Sequence, residues 1–213
     1  MRLPTALLLS LSLLAAPGRA APTAGLFNGI DLAGWEFITV PAMDIREICR
    51  VLPEGVIAVT GKPVGFLATT ASYHDYQLHV EWRWSAKPGN GGVLVHISSG
   101  PKDRAWPLCL QLQTKHGSVG DLLPMAGAAF AEPLTQAATP GPALKAHTAP
   151  DSERPAGEWN GCDITCRGDT IEIVINGVRQ NSITRVVPAA GRVGFQLEGS
   201  PYELRQVRLT PLD

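Results

Sequence analysis

Three runs of alternating residues carry the side chains with most chemistry to offer. Between Tyr76 and Trp84, the polar Gln77, His79, Glu81 and Arg83 alternate with Leu78, Val80, Trp82 and Trp84. In the second run Leu94, His96 and Ser98 alternate with Val93, Val95 and Ile97, and in the third Cys109, Gln111, Gln113 and Lys115 alternate with Leu108, Leu110 and Leu112. Taken as neighbouring strands, these runs predict one polar face bearing Glu81, Arg83, His96, Gln111 and Gln113. An imidazole titrates near neutrality, so His96 suits proton transfer or metal ligation; it serves equally as a strand histidine bonded to a neighbour. Glu81 is a base, a second ligand, or a cross-strand partner of Arg83. Gln111 and Gln113 each offer donor and acceptor to a ligand hydroxyl, or form a solvated face. A retaining glycosidase needs two carboxyl groups about 5–5.5 Å apart, and no strand here carries two acids at i and i+2.

Loops supply the other candidates. Asn90 lies in the turn Pro88-Gly89-Asn90-Gly91-Gly92 as a substrate-binding group. Asp121, after Gly120, either coordinates a divalent cation or caps a turn. Glu158 is an acid able to reach the rim of a groove, with Asn160 beside it; both are equally turn residues. Gln196 and Glu198 repeat the polar alternation near the C-terminus as further substrate contacts. Trp82 and Trp84 belong to the apolar face, while Trp106 and Trp159 stand at strand entrances, to pack in the core or stack on a ligand ring.

These residues need β-strands to hold them. A period of two means one buried and one solvated face. Ile57 and Phe66 sit in two further runs, residues 56–61 and 66–70, read as a strand pair joined by Lys62-Pro63-Val64-Gly65. Residues 45–51 fit either a short strand or a helical turn. Asn176-Gly177 is a type I′ hairpin signal between strands. Residues 114–157, rich in Ala, Pro and Gly, break the rhythm, as a binding loop or a passive insertion. About a dozen short strands without an amphipathic helix predict an all-β jelly roll or sandwich.

Arg2, the apolar run Ala6–Ala16 and the small residues Gly18-Arg19-Ala20 read as a secretory leader cleaved after Ala20. That run is short for a membrane span, and no cysteine follows it for lipidation. The expectation is an exported chain, periplasmic or secreted, with a single domain over 21–213. A net charge of −1 gives nothing to draw it to nucleic acid or an anionic membrane. The 17% charged content with 22 Gly and 18 Pro favours turn-rich β structure. Cys49, Cys109, Cys162 and Cys166 allow three full disulfide pairings, among which sequence does not choose. Cys162 and Cys166 share a strand face about 13 Å apart and cannot bridge each other. Export favours disulfides or buried thiols, and no Cys-x-x-Cys pair supports zinc.

The landmarks Leu26-Phe27-Asn28-Gly29-Ile30-Asp31-Leu32-Ala33-Gly34-Trp35, Gly89-Asn90-Gly91-Gly92 ahead of His96, Trp106-Pro107, Gly120-Asp121, Gly157-Glu158-Trp159-Asn160, Asn176-Gly177 and Gly194-Phe195-Gln196-Leu197-Glu198-Gly199 occur in one order. In that order and spacing they resemble the 3-keto-disaccharide hydrolase domain family, long called DUF1080, over about residues 25–210. The resemblance implies a concanavalin A-like jelly roll of two curved antiparallel sheets with a carbohydrate site on the concave face. It implies processing of 3-keto-sugars, by hydrolysis or by elimination across C1 and C2. Family members often carry Glu where Gln111 stands, and related jelly-roll glucanases place carboxylates on this strand. A 3-ketone acidifies the C2 proton, so one base and one group polarising the carbonyl suffice for elimination. No cofactor is required, though a divalent cation is one way to polarise the ketone. The roles expected are catalysis by His96, Glu81 and Glu158, and sugar binding by Arg83, Asn90, Gln111, Gln113, Asn160, Gln196 and Glu198. A lectin-like module that binds glycan without turnover is the rival expectation.

Overall fold

The computed structural model describes residues 22–138 and 141–212; the expected leader lies outside them. In chain order the elements are β1 (Ala24–Gly25), β2 (Trp35–Ile38), α1 (Ile45–Ile48), β3 (Cys49–Val51), β4 (Ile57–Val59), β5 (Gly65–Thr69), β6 (Tyr76–Trp84), β7 (Gly91–Asp103), β8 (Trp106–Gln113), β9 (Leu122–Met125), β10 (Asn160–Arg167), β11 (Thr170–Ile175), β12 (Val178–Ile183), β13 (Arg192–Leu197) and β14 (Tyr202–Pro211). They pair into two antiparallel sheets. The eight-stranded sheet runs β12-β11-β10-β6-β14-β4-β3 with β1 against β14, and the six-stranded sheet runs β2-β5-β13-β7-β8-β9. This is the expected jelly-roll sandwich. The ambiguous 45–51 stretch holds both alternatives in succession, one helical turn capped by Asp44 and then β3.

Each sheet turns its apolar side chains toward the other, because only that arrangement removes both faces from water. Leu78, Val80, Trp82 and Trp84 of β6, with Ile164 and Ile173, meet Val93, Val95, Leu110, Leu112 and Phe195 across the interior. Trp82 and Trp84 are core, as their alternation implies. All four cysteines are free and buried.

Two expected strand pairs prove to be crossovers. β4 and β5 lie in different sheets, and so do β6 and β7. At the first crossing Gly61 takes a left-handed φ of 76°, and a Cβ there would stand 2.2 Å from the Ser200 carbonyl oxygen. Only glycine tolerates both conditions.

Residues 114–157 are not structureless. β9 adds an edge strand to the six-stranded sheet, and Leu122 bridges to Lys145. The Asn181 amide of β12 donates to the carbonyls of Gly120, Lys145 and Ala146. The segment therefore ties the β9 edge of one sheet to the β12 edge of the other.

Candidate functional site

On the outer face of the six-stranded sheet, side chains of β8 and β13 alternate away from the core and form the floor of a groove. Gln111 and Gln113 come from β8, and Gln196 from β13, with Gly92 of β7 in register against both Gln113 and Gln196. The Gln111 amide nitrogen donates to Gln113 Oε1 at 2.7 Å and to Gln196 Oε1 at 2.9 Å. Gln196 Nε2 donates in turn to Glu198 Oε2 at 2.7 Å, and Asn90 Nδ2 donates to the same oxygen at 2.7 Å. A carboxylate can only accept, so Glu198 fixes the direction of the whole relay. Gln196 must show its oxygen to Gln111, and Gln111 must answer with its nitrogen. The consequence is an unpartnered Gln111 Oε1 on a residue 1% exposed, together with an unpartnered buried Asn90 Oδ1. Buried acceptors without partners cost about 1–3 kcal/mol each, which a hydroxyl donor from a ligand would recover.

Gly92 makes the relay possible. A Cβ there would lie 2.7–2.9 Å from Gln111 Cγ, Nε2 and Cδ, so the glutamine lies across the space that a side chain would fill.

The groove has a volume of about 530 Å³. Trp106, Arg104 and Lys115 line it with the amides, and Leu123, Met125, Ala138, Pro142 and Ala143 form the far wall. The 114–157 segment thus contributes directly to this wall. Partial burial raises the Glu198 carboxyl above the ordinary range, opposed by the positive charges of Lys115 and Arg104. Both amide donors bond Oε2, leaving Oε1 as the oxygen for proton transfer.

The single expected polar face splits in two. β6 belongs to the opposite sheet, so Glu81 and Arg83 point outward on the far side of the sandwich. There Glu81 pairs with Arg205 at 2.5 Å and Arg83 with Glu203 at 2.6 Å. Both guanidinium groups lie over the Trp159 ring, Arg83 at 4.5 Å and Arg205 at 4.2 Å from its centroid. His96 misses the groove for another reason. The β7–β8 register slips after Val95, and His96 takes a left-handed φ of 56°. This bulge turns its ring inward, edge-on to Tyr76, and sends Ile97 to the outer face instead. His96 Nδ1 bonds the Pro188 carbonyl at 2.9 Å, and burial holds the ring below the ordinary histidine range against the opposing pull of that carbonyl.

The remaining loop candidates are structural in their contacts. Glu158 is exposed on the loop before β10. Asn160 is buried at the β10 entrance, where its Oδ1 accepts from Arg154 N and Asn176 Nδ2. Asp121 accepts from both the backbone and the ring of His147, at 2.8 and 2.6 Å. Among the described residues no three His, Cys, Asp or Glu side chains gather to share a metal ion. Among the described residues the groove offers one carboxylate, neutral amides and two cationic side chains, a donor set that does not fit a resident divalent cation.

Of the expected site residues, the groove unites Asn90, Gln111, Gln113, Gln196 and Glu198, and excludes Glu81, Arg83, His96, Asp121, Glu158 and Asn160. Lys115 was legible as the next member of the Gln111, Gln113 alternation. Arg104, at the β7–β8 hairpin tip, has no periodic signal to mark it.

Comparison with known proteins agrees with the fold. No curated protein matches the chain significantly. A "putative glycosyl hydrolase" from Parabacteroides distasonis superposes with a TM-score of 0.66 at 22% identity, over 90% of this chain and 94% of that one. Carbohydrate-binding module CBM66 from Bacillus subtilis does so with a TM-score of 0.57 at 13% identity, over 83% and 95%. SCLam, a non-specific endo-β-1,3(4)-glucanase, gives 0.59 at 13% identity, over 92% and 93%. At such identities these likenesses speak for the fold. The family profile described as the 3-keto-α-glucoside-1,2-lyase-like domain matches residues 23–210, and the chain belongs to that family.

Proposed function

We propose that this chain is an exported enzyme that cleaves 3-keto-glycosides by elimination, with Glu198 as the base. The observation that carries the reading is the lone carboxylate among the described residues lining the amide groove. Glycoside hydrolysis by either common route employs a pair of carboxyl groups. Elimination from a 3-keto sugar needs one. Glu198 Oε1 takes the proton from C2, and the electron pair is held by the C3 ketone as an enolate. The pair then forms the C1–C2 double bond as the C1–O bond breaks and the aglycone leaves with the glycosidic oxygen. Lys115 supplies the positive charge that stabilises the enolate. The unpartnered Gln111 and Asn90 oxygens accept sugar hydroxyls, and Trp106 offers a ring to stack on. The leader-like run Ala6–Ala16 supports export; N-terminal sequencing of the mature protein checks it.

The presence of Gln111 and Gln113 where related glucanases carry acids favours a second reading, binding without turnover. Incubation with a 3-keto-α-glucoside, followed by NMR, separates the two. Release of the aglycone by wild-type protein, lost in Glu198→Gln and unaffected by a chelator, supports the enzyme. Saturable binding of an unchanged sugar supports the lectin.

A further inference from the structure

A second depression begins where the amide groove ends. It has a volume of about 720 Å³ and is lined by Met43, Ile48, Pro63 and Val64 together with the exposed Glu47 and Lys62, with Glu198 and Gly199 on its rim. Glu198 lines both hollows, so it stands on the ridge between them. The topology explains the position. β13, which carries Gln196 of the groove floor, lies between β7 and β5, whose first residue Gly65 pairs with Leu197. The chain leaves β13 at Glu198, just where the loop preceding β5 brings Pro63 and Val64 alongside. The junction is fixed by a hydrogen bond from Gly199 N to the Gly61 carbonyl at 2.8 Å.

The two hollows differ in chemistry. The groove floor is a network of amides, whereas the second hollow presents mainly aliphatic side chains between the exposed Glu47 and Lys62, Val64 being 45% exposed. Its Thr60 hydroxyl is already committed to the Lys62 carbonyl at 2.7 Å. Nothing there resembles the amide array that a second sugar ring would require. We infer that this shelf is the leaving-group subsite, and that it takes an apolar, ring-bearing aglycone. The inference rests on reading the groove as a 3-keto-glycoside site.

Reaction chemistry points the same way. Glu198 receives the C2 proton, the groove holds no second acid among the described residues, and Glu47 and Lys62 of the shelf are exposed to solvent rather than enclosed with the departing oxygen. A phenol-type leaving group departs as phenolate, with a conjugate-acid pKa of about 10, and needs no such acid. A sugar alcohol would.

The test measures dissociation constants of phenyl and methyl 3-keto-α-glucosides by calorimetry in a Glu198→Gln background, where turnover does not consume the ligand. Phenyl is expected to bind about tenfold more tightly, from the apolar area it buries. That ratio should fall toward 1 in Val64→Asp and hold in Val40→Asp, whose exposed side chain lines neither hollow. Equal affinities, or a ratio that survives Val64→Asp, overturn the shelf even if both glycosides are turned over by the wild-type protein. A Val64-dependent preference without wild-type turnover keeps the shelf and overturns the enzymatic reading. Failure of either glycoside to bind overturns both.

Discussion

Glu198 does its work through its neighbours. It orients the amide relay through Oε2 and keeps Oε1 for the proton, and partial burial lifts its carboxyl above 4.5. A base must be ionised, so kcat/KM is expected to rise with pH along an acid limb lying above that value. Removing the charge of Lys115, which opposes the rise, should move the limb to still higher pH in Lys115→Met. A limb that stays in place would detach it from Glu198. Glu198→Gln preserves the shape and is expected to lower kcat by about 10²–10⁴-fold. His96 titrates in the core instead. Its folded-state pKa is depressed, so the unfolded chain binds more protons below the ordinary value of 6.5. Stability from this group is therefore present above that pH and lost as pH falls toward the folded-state value. The wild-type melting temperature should decline over that window more steeply than that of His96→Asn.

At the scale of elements, the site depends on a residue with no side chain. Gly92 leaves the gap through which Gln111 reaches Gln196, so Gly92→Ala should displace the amide and weaken sugar binding. The expected loss is about 1–3 kcal/mol in calorimetry, the usual cost of an unsatisfied polar group. Alternation in β8 and β13 was enough to put Gln111, Gln113, Gln196 and Glu198 on the polar side of their sheet, where they line one groove. The same rule failed at His96, because one left-handed residue exchanges the faces of everything beyond it, and alternation carries no mark of a bulge. It failed again for Glu81 and Arg83, whose alternation is correct but whose strand lies in the other sheet. Sequence neighbours that share a core from opposite sides must turn their polar faces in opposite directions. Proximity along the chain therefore misassigned them.

Across the whole molecule, stability and chemistry are kept apart. Apart from His96 the facing surfaces of the two sheets are apolar, and truncating a fully buried member such as Ile164 to Ala should cost about 2–5 kcal/mol, read from the denaturant midpoint. Breaking the solvent-facing Arg83–Glu203 pair should cost about 0–1 kcal/mol. The sandwich was legible because many strands with turn residues between them admit few architectures. The groove wall was not, since Ala138, Pro142 and Ala143 owe their place to the ties between 114–157 and β12 rather than to any local pattern. Among the described residues no helix is long and apolar enough to cross a membrane.

The central claim is that Glu198 removes the C2 proton of a 3-keto-glycoside. Turnover of a C2-deuterated 3-keto-α-glucoside, followed by NMR and mass spectrometry, tests it directly. The expected result is slower turnover than with the protiated sugar, loss of the deuterium from C2, and no product with Glu198→Gln. A product that retains its deuterium and carries oxygen from water at C1 would contradict it.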